Sequence, residues 1–122
     1  MRLLEFLTEE SNRDLAQHYT DVLNTRYVPY DVPIRITTHF VDRINDPRNL
    51  EPITIGEVAD FFSKLLLKRH EFLKQLPEGT SVHVVDVETD ITVPMAKIND
   101  VIVIKTIMRG EMKRGSQQKI AI

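Results

Sequence analysis

The 122-residue chain contains no cysteine, which excludes a disulfide framework, a thiolate nucleophile and any cysteine-based zinc site. A metal would have to be held by the four histidines and the carboxylates. His18, His70 and His83 lie singly, at no metal-ligand spacing, so no metal or cofactor is expected. Only four glycines are present, and none forms a phosphate-cradling loop, which excludes nucleoside-triphosphate hydrolysis of the usual kind. Ser116 has neither a nearby histidine nor a strained glycine turn to make it a nucleophile. No apolar run reaches the length of a membrane span, and the amino terminus turns acidic at Glu5, too early for a signal peptide. A cytoplasmic protein without membrane contact is therefore expected.

Neither sign of charge dominates: 16 Lys and Arg oppose 18 Asp and Glu, a net charge of −2. The whole-molecule field favours no polyanion, so contact with nucleic acid must come from a local patch. Charge is unevenly distributed. Residues 1–33 carry Arg2, Arg13 and Arg26 against six carboxylates, and the chain from Lys105 onward carries Lys105, Arg109, Lys113, Arg114 and Lys119 against Glu111 alone. The length suits one domain, residues 1–122, with an acidic helical start and connector (1–33) and a basic tail (110–122).

Residues 2–8 read as a short helix, and Ser11, three residues before Asp14, as the cap of a second one carrying Leu15, Tyr19 and Val22. Pro29 and Pro33 make residues 27–33 an extended connector. Its tyrosines, Tyr27 and Tyr30, could stack on a base, but covering the edge of the core is the plainer role. A short strand at 33–36 leads to a brief helix through 39–44, capped by Thr37 or Thr38 and ended before Pro47. Thr54-Ile55-Gly56-Glu57 is a capping box. It opens a long helix with apolar residues every three or four positions, stopped by Pro77-Glu78-Gly79.

From Ser81 the apolar period becomes two. Runs at 81–87, 91–98 and 101–109 are separated by short polar turns, the pattern of an antiparallel meander, and Pro94 signals an edge or a bulge. The expected class is α+β: N-terminal helices and one long core helix packed on one face of a C-terminal antiparallel sheet of three to four strands. Strict alternation puts Ile102, Ile104, Thr106 and Met108 toward the helices. It leaves Val101, Val103, Lys105, Ile107 and Arg109 on the other face, with Lys105 and Arg109 about 13 Å apart around a possible phosphate site.

His39 and Arg43 are four residues apart, and Arg48 follows Pro47. An imidazole flanked by guanidinium groups can cleave RNA without metal, moving a proton at the 2′-hydroxyl or the leaving oxygen while the cations stabilise the phosphorane. The same residues could equally form ion pairs with Asp42 or Asp46. The carboxylates of Asp86-Val87-Glu88-Thr89-Asp90 lack the glycine and the terminal glutamate of a calcium loop and read as a polar hairpin end.

The segments Thr38-His39-Phe40-Val41-Asp42-Arg43-Ile44-Asn45-Asp46-Pro47-Arg48-Asn49, Pro52-Ile53-Thr54 with Glu57, Val93-Pro94 and Lys105-Thr106-Ile107-Met108-Arg109 resemble a group of small bacteriophage proteins. The resemblance covers about residues 34–112. That group in turn is distantly similar to the phage barnase, EndoU, colicin-tRNase and RelE-like nucleases, which place helices before a curved antiparallel sheet and cleave RNA without metal. The resemblance implies His39 as proton-transfer residue, with Arg43, Thr106 and Arg109 completing a catalytic set. It further implies Arg48 and Lys105 as phosphate or RNA contacts, and the basic tail adds Lys113 and Arg114. Thr106 could join such a site only through a bulge or a curl of the sheet.

Two readings follow. One is a metal-independent endoribonuclease. The other is a non-catalytic phage accessory or virion-associated protein that binds RNA or a host or phage protein, its tail serving as an interaction arm. Either would act in the host cytoplasm or be packaged in the virion, as a monomer or a homodimer.

Overall fold

A computed structural model of the chain describes residues 3–44, 51–110 and 118–122. The chain order is α1 (Leu3–Tyr27), a single 3-10 turn (Val28–Tyr30), β1 (Ile34–Ile36), α2 (Thr38–Ile44), α3 (Ile55–Gln75), β2 (Ser81–Asp86), β3 (Ile91–Ile98), β4 (Val101–Ile104), β5 (Met108–Arg109) and β6 (Gln118–Ala121). The two helices expected before residue 27 are one. No proline or glycine interrupts residues 3–27, so Ser11 lies within a continuous helix and not at the start of a second one.

The α+β class holds, with helices on a sheet, but the expected three- to four-stranded antiparallel sheet is overturned. The sheet has six strands in mixed topology, ordered β1-β4-β3-β2-β6, with β5 also paired to β3. β1 joins β4 in parallel, and β6 joins β2 in parallel. The short apolar run at 33–36 and the basic tail each supply a strand that pairs far away in sequence. Local alternation identifies a strand without naming its neighbour, which is why a three-strand meander was the natural expectation.

The capping box forms as the sequence predicts: the Thr54 hydroxyl accepts from the Glu57 amide at 3.1 Å and the Glu57 carboxylate accepts from the Thr54 amide at 3.1 Å. The β3–β4 turn places Asn99 and Asp100 both at positive φ, 51° and 64°, the geometry that lets a two-residue loop follow the twist of its strands. Both of its amides donate to the Glu78 carboxylate, which holds that group below the ordinary carboxylate range.

The core is drawn from one face of the sheet. Val82 and Val84 of β2, Ile91, Val93 and Met95 of β3, and Ile102 and Ile104 of β4 meet Phe61, Phe62, Leu65 and Leu73 of α3 in one buried cluster. Lys97, also on this face and buried, donates to the carbonyls of Leu73 and Lys74, both at 3.4 Å. Those acceptors sit at the negative end of the α3 dipole, where a cation is favoured. Tyr27 is fully buried and donates to the Phe62 carbonyl, and burial drives its phenol well above its ordinary pKa. It is core, whereas Tyr30 is partly exposed and lies against the His70 ring.

Helix α1 closes one edge of the sheet. Asn24 bonds both the amide and the carbonyl of Ile34 at 2.8 Å, and Thr20 Oγ1 accepts from the Ile36 amide at 2.9 Å. Side chains thereby satisfy main-chain groups that an open edge would offer to another strand. At the opposite edge, Arg69 donates twice to the Ala121 carbonyl of β6, from the point where α3 departs from helical angles.

Candidate nucleic-acid interface

The last long strand breaks where Pro94 faces it. The Lys105 amide donates to the Pro94 carbonyl at 3.1 Å, so that edge of Pro94 points toward β4, and proline has no amide to return a bond. The ladder resumes one residue out of step: Met95 pairs with Ile104, but Thr92 pairs with Met108. Three residues, Lys105, Thr106 and Ile107, therefore oppose Val93 and Pro94, which is a bulge.

The bulge reverses the alternation expected beyond Lys105. Ile107 is fully buried in the core and Arg109 lies on the helix side, so Ile107 and Arg109 do not share the outer face with Lys105. The phosphate site expected between Lys105 and Arg109 is not formed. The Arg109 guanidinium instead donates to the Glu57 carboxylate at 2.6 Å and to the carbonyls of Thr89 and Pro52 at 3.0 Å and Glu51 at 3.4 Å. It ties β5 to the capping box of α3 and to the chain leading into it. The same contact, followed by the Thr54 amide, holds the Glu57 carboxyl below its ordinary pKa.

The start of α2 reaches the bulge. Thr37 Oγ1 caps this helix by accepting from the Phe40 amide at 3.2 Å, and lies 3.1 and 3.0 Å from the carbonyl oxygens of Ile104 and Lys105. His39 is exposed two residues further on. The structure thus brings the turn that carries His39 to the strand end that carries Lys105 and Thr106. The Thr106 hydroxyl is buried with no hydrogen-bond partner among the described residues. Arg43 is buried on the inner side of α2, unlike His39, although four residues separate them. Arg48, Lys113 and Arg114 lie outside the described residues. Replacing Thr37 with valine removes the cap and both carbonyl contacts. A loss of about 1 kcal/mol is expected, measurable as a lowered urea midpoint.

The sheet register groups Lys105, which the sequence singled out, with three basic residues that sequence reasoning missed as site members. Partners on adjacent strands share a face, which places Arg35 beside Val103, Ala96 and Ser81, and places Lys119 beside His83 and Pro94. Lys105 adjoins Pro94 and points its Nζ toward Ser81 Oγ at 3.5 Å. The face turned away from the helices therefore carries Arg35, Lys105, His83 and Lys119, and no carboxylate among its described strand residues. From β1 to β6 it spans four inter-strand gaps, about 19 Å. Arg35, Lys105 and Lys119 are exposed at its rim, while His83, Thr92, Ala96 and Val103 are buried toward its middle.

The described strand carboxylate, by contrast, lies on the helix side. Asp86 is buried and shares Lys64 Nζ with Glu88, at 3.1 and 3.2 Å, and Glu57 takes Arg109. The alternation in Ile34-Arg35-Ile36 and Val82-His83-Val84 is the signal that could have placed Arg35 and His83 outward. It lacked only the strand order. Comparison with family models, curated proteins and solved structures finds no match for the chain.

Proposed function

We propose that the protein binds RNA along the outer face of its sheet, through the phosphate backbone. The observation that carries this reading is the separation of charge across the sheet: Arg35, Lys105 and Lys119 line one face while the described strand carboxylate and its lysine lie on the other. On a molecule of net charge −2, such a face provides the local field that binding a polyanion requires. The described strand residues of this face include no aromatic side chain, so base stacking adds little. Recognition then rests on the backbone, is tolerant of sequence and weakens steeply with salt.

A second reading, cleavage of the bound strand, is favoured by the contact of Thr37 with the Ile104 and Lys105 carbonyls. His39 would take the proton of a 2′-hydroxyl. The 2′-oxygen would then bond to phosphorus as the bond to the 5′-oxygen breaks, the leaving oxygen taking its proton from water and the His39 proton passing to solvent, which gives a cyclic phosphate and a 5′-hydroxyl, with Lys105 stabilising the charge on the phosphorane. Incubation with tRNA and total RNA in excess EDTA separates the two readings. Catalysis predicts fragments ending in cyclic phosphate and a loss of at least 100-fold in His39→Ala, on the scale of general acid–base catalysis. Binding without cutting, identical in wild type and His39→Ala, confines the function to RNA binding.

A further inference from the structure

The helical layer turns an apolar strip to solvent along the seam between α1 and α3. One hollow in it, of about 170 Å³, lies between Val22 and Leu23 of α1 and Ile55, Ala59 and Phe62 of α3. A second, of about 450 Å³, continues past Leu23 and Phe62 to Ser63, Leu66 and Leu67. Ile55 and Ala59 border the first hollow, Ser63 and Leu67 the second, and the four stand at four-residue spacing. Such a row forms a ridge on the helix surface. Its end residues are large and exposed, Ile55 at 67% and Leu67 at 74%, whereas Ala59 and Ser63 between them are small. An exposed apolar strip of this kind marks an interaction surface.

The ridge reads the same in size from either end: large, small, small, large. An antiparallel copy of it therefore matches it residue for residue, Ile55 beside Leu67 of the second copy and Ala59 beside its Ser63. The ridge cannot fill the hollows of its own molecule, because it forms their wall. We propose that two copies pair through α3 in this register, each large end residue entering the hollow beside its counterpart while the small middle residues let the backbones approach. Charge agrees with the same register. Arg26 borders both hollows, which sets it level with the middle of the ridge on the α1 side. Asp60 is exposed at the same level, about 100° of helical turn beyond Ala59 and away from α1. Reversing one copy carries its α1 across to the Asp60 side of the other, so Arg26 meets Asp60 twice, once in each direction. Neither residue has an ion pair in its own molecule among the described residues. The pairing is reciprocal and closes as a two-fold dimer. It uses the helical layer and leaves the outer face of the sheet free, so it stands independently of the RNA reading.

Sedimentation equilibrium of the full chain over a range of concentrations tests the pairing. The wild type is expected to dimerise, and Ala59→Arg, Arg26→Glu and Asp60→Lys each to weaken the dimer at least tenfold. All three positions are exposed, and circular dichroism verifies that the variants stay folded. Arg26→Glu and Asp60→Lys combined in one chain are expected to restore most of the affinity. Cross-linking reads the register directly, since the chain contains no cysteine. The two copies of position 55 are held about 18 Å apart along the axis, while position 55 of one copy lies beside position 67 of the other. A short bis-maleimide should therefore join the Ile55→Cys protein to the Leu67→Cys protein in a mixture and should join neither to itself. A wild type that stays monomeric, which would leave the strip to a partner of another sequence, overturns the proposal. So does a dimer indifferent to the substitutions, a charge exchange that restores nothing, or a single-cysteine protein that joins to itself as readily as to the other.

Discussion

Replacing Arg109 with alanine is expected to lower stability by about 2–4 kcal/mol, on the scale of stripping one partner from a largely buried ion pair with its hydrogen bonds. The side chain is 12% exposed and its Glu57 partner 27%, so the lower part of the range for buried pairs applies. The loss has three physical parts: the Glu57 carboxylate loses its cation, the carbonyls of Pro52 and Thr89 lose donors, and β5 loses its tie to α3. Chemical denaturation measures it. Glu57→Gln keeps the shape of the capping box, removes the charge and should cost less. The pH dependence has a definite sign. Because the folded protein holds the Glu57 carboxyl below its ordinary pKa, its contribution is complete above the unfolded value of about 4.3. It is lost as pH falls through the lower folded value. The stability gap between wild type and Glu57→Gln should therefore close on acidification below about pH 4. A gap that stays constant would mean that the carboxylate charge contributes nothing.

Reversing the outer-face cations should have the largest effect on binding. Single-stranded nucleic acid releases about 0.7 counterion for each phosphate neutralised. Three rim cations engaged at once thus contribute a slope of about −2 to the dependence of log affinity on log salt. The triple variant Arg35→Glu, Lys105→Glu, Lys119→Glu should bind RNA at least 100-fold more weakly in low salt, since it replaces three attractions with three repulsions. All three positions are exposed, so fold stability should change little. Asp60→Lys, an exposed change on α3, provides the control: it raises net charge without altering the outer face and should leave affinity nearly unchanged.

Elements with local signals were legible in the sequence. The capping box, the proline and glycine that end α3, the Asn99-Asp100 turn and the cap of α2 are each determined within four or five residues. What was hidden is long-range. The parallel partners of β1 and β6 lie 68 and 36 residues away, as Ile34 with Ile102 and Val82 with Gln118 show, and no local pattern encodes that choice. Pro94 suggested an edge or a bulge in its own run, but β3 is a central strand and the extra residue lies opposite it, at 105–107. The inference that failed was strict alternation through it, because one extra residue sends every later side chain to the other face. Arg109 thereby moved from a supposed phosphate site to a clamp on α3, and Arg43 became a buried residue of α2. The candidate site that remains, with Lys105 joined by Arg35, His83 and Lys119, depends on strand order, which becomes visible only in the assembled sheet.

The most direct test of the central claim is the salt dependence of RNA binding, followed by fluorescence anisotropy on a labelled single strand, for wild type and the triple outer-face variant. The account predicts a wild-type slope steeper than that of the variant by about 2, with affinity largely independent of sequence. Equal slopes, or an affinity untouched by the triple substitution, would contradict it and remove the outer face as the RNA-binding surface.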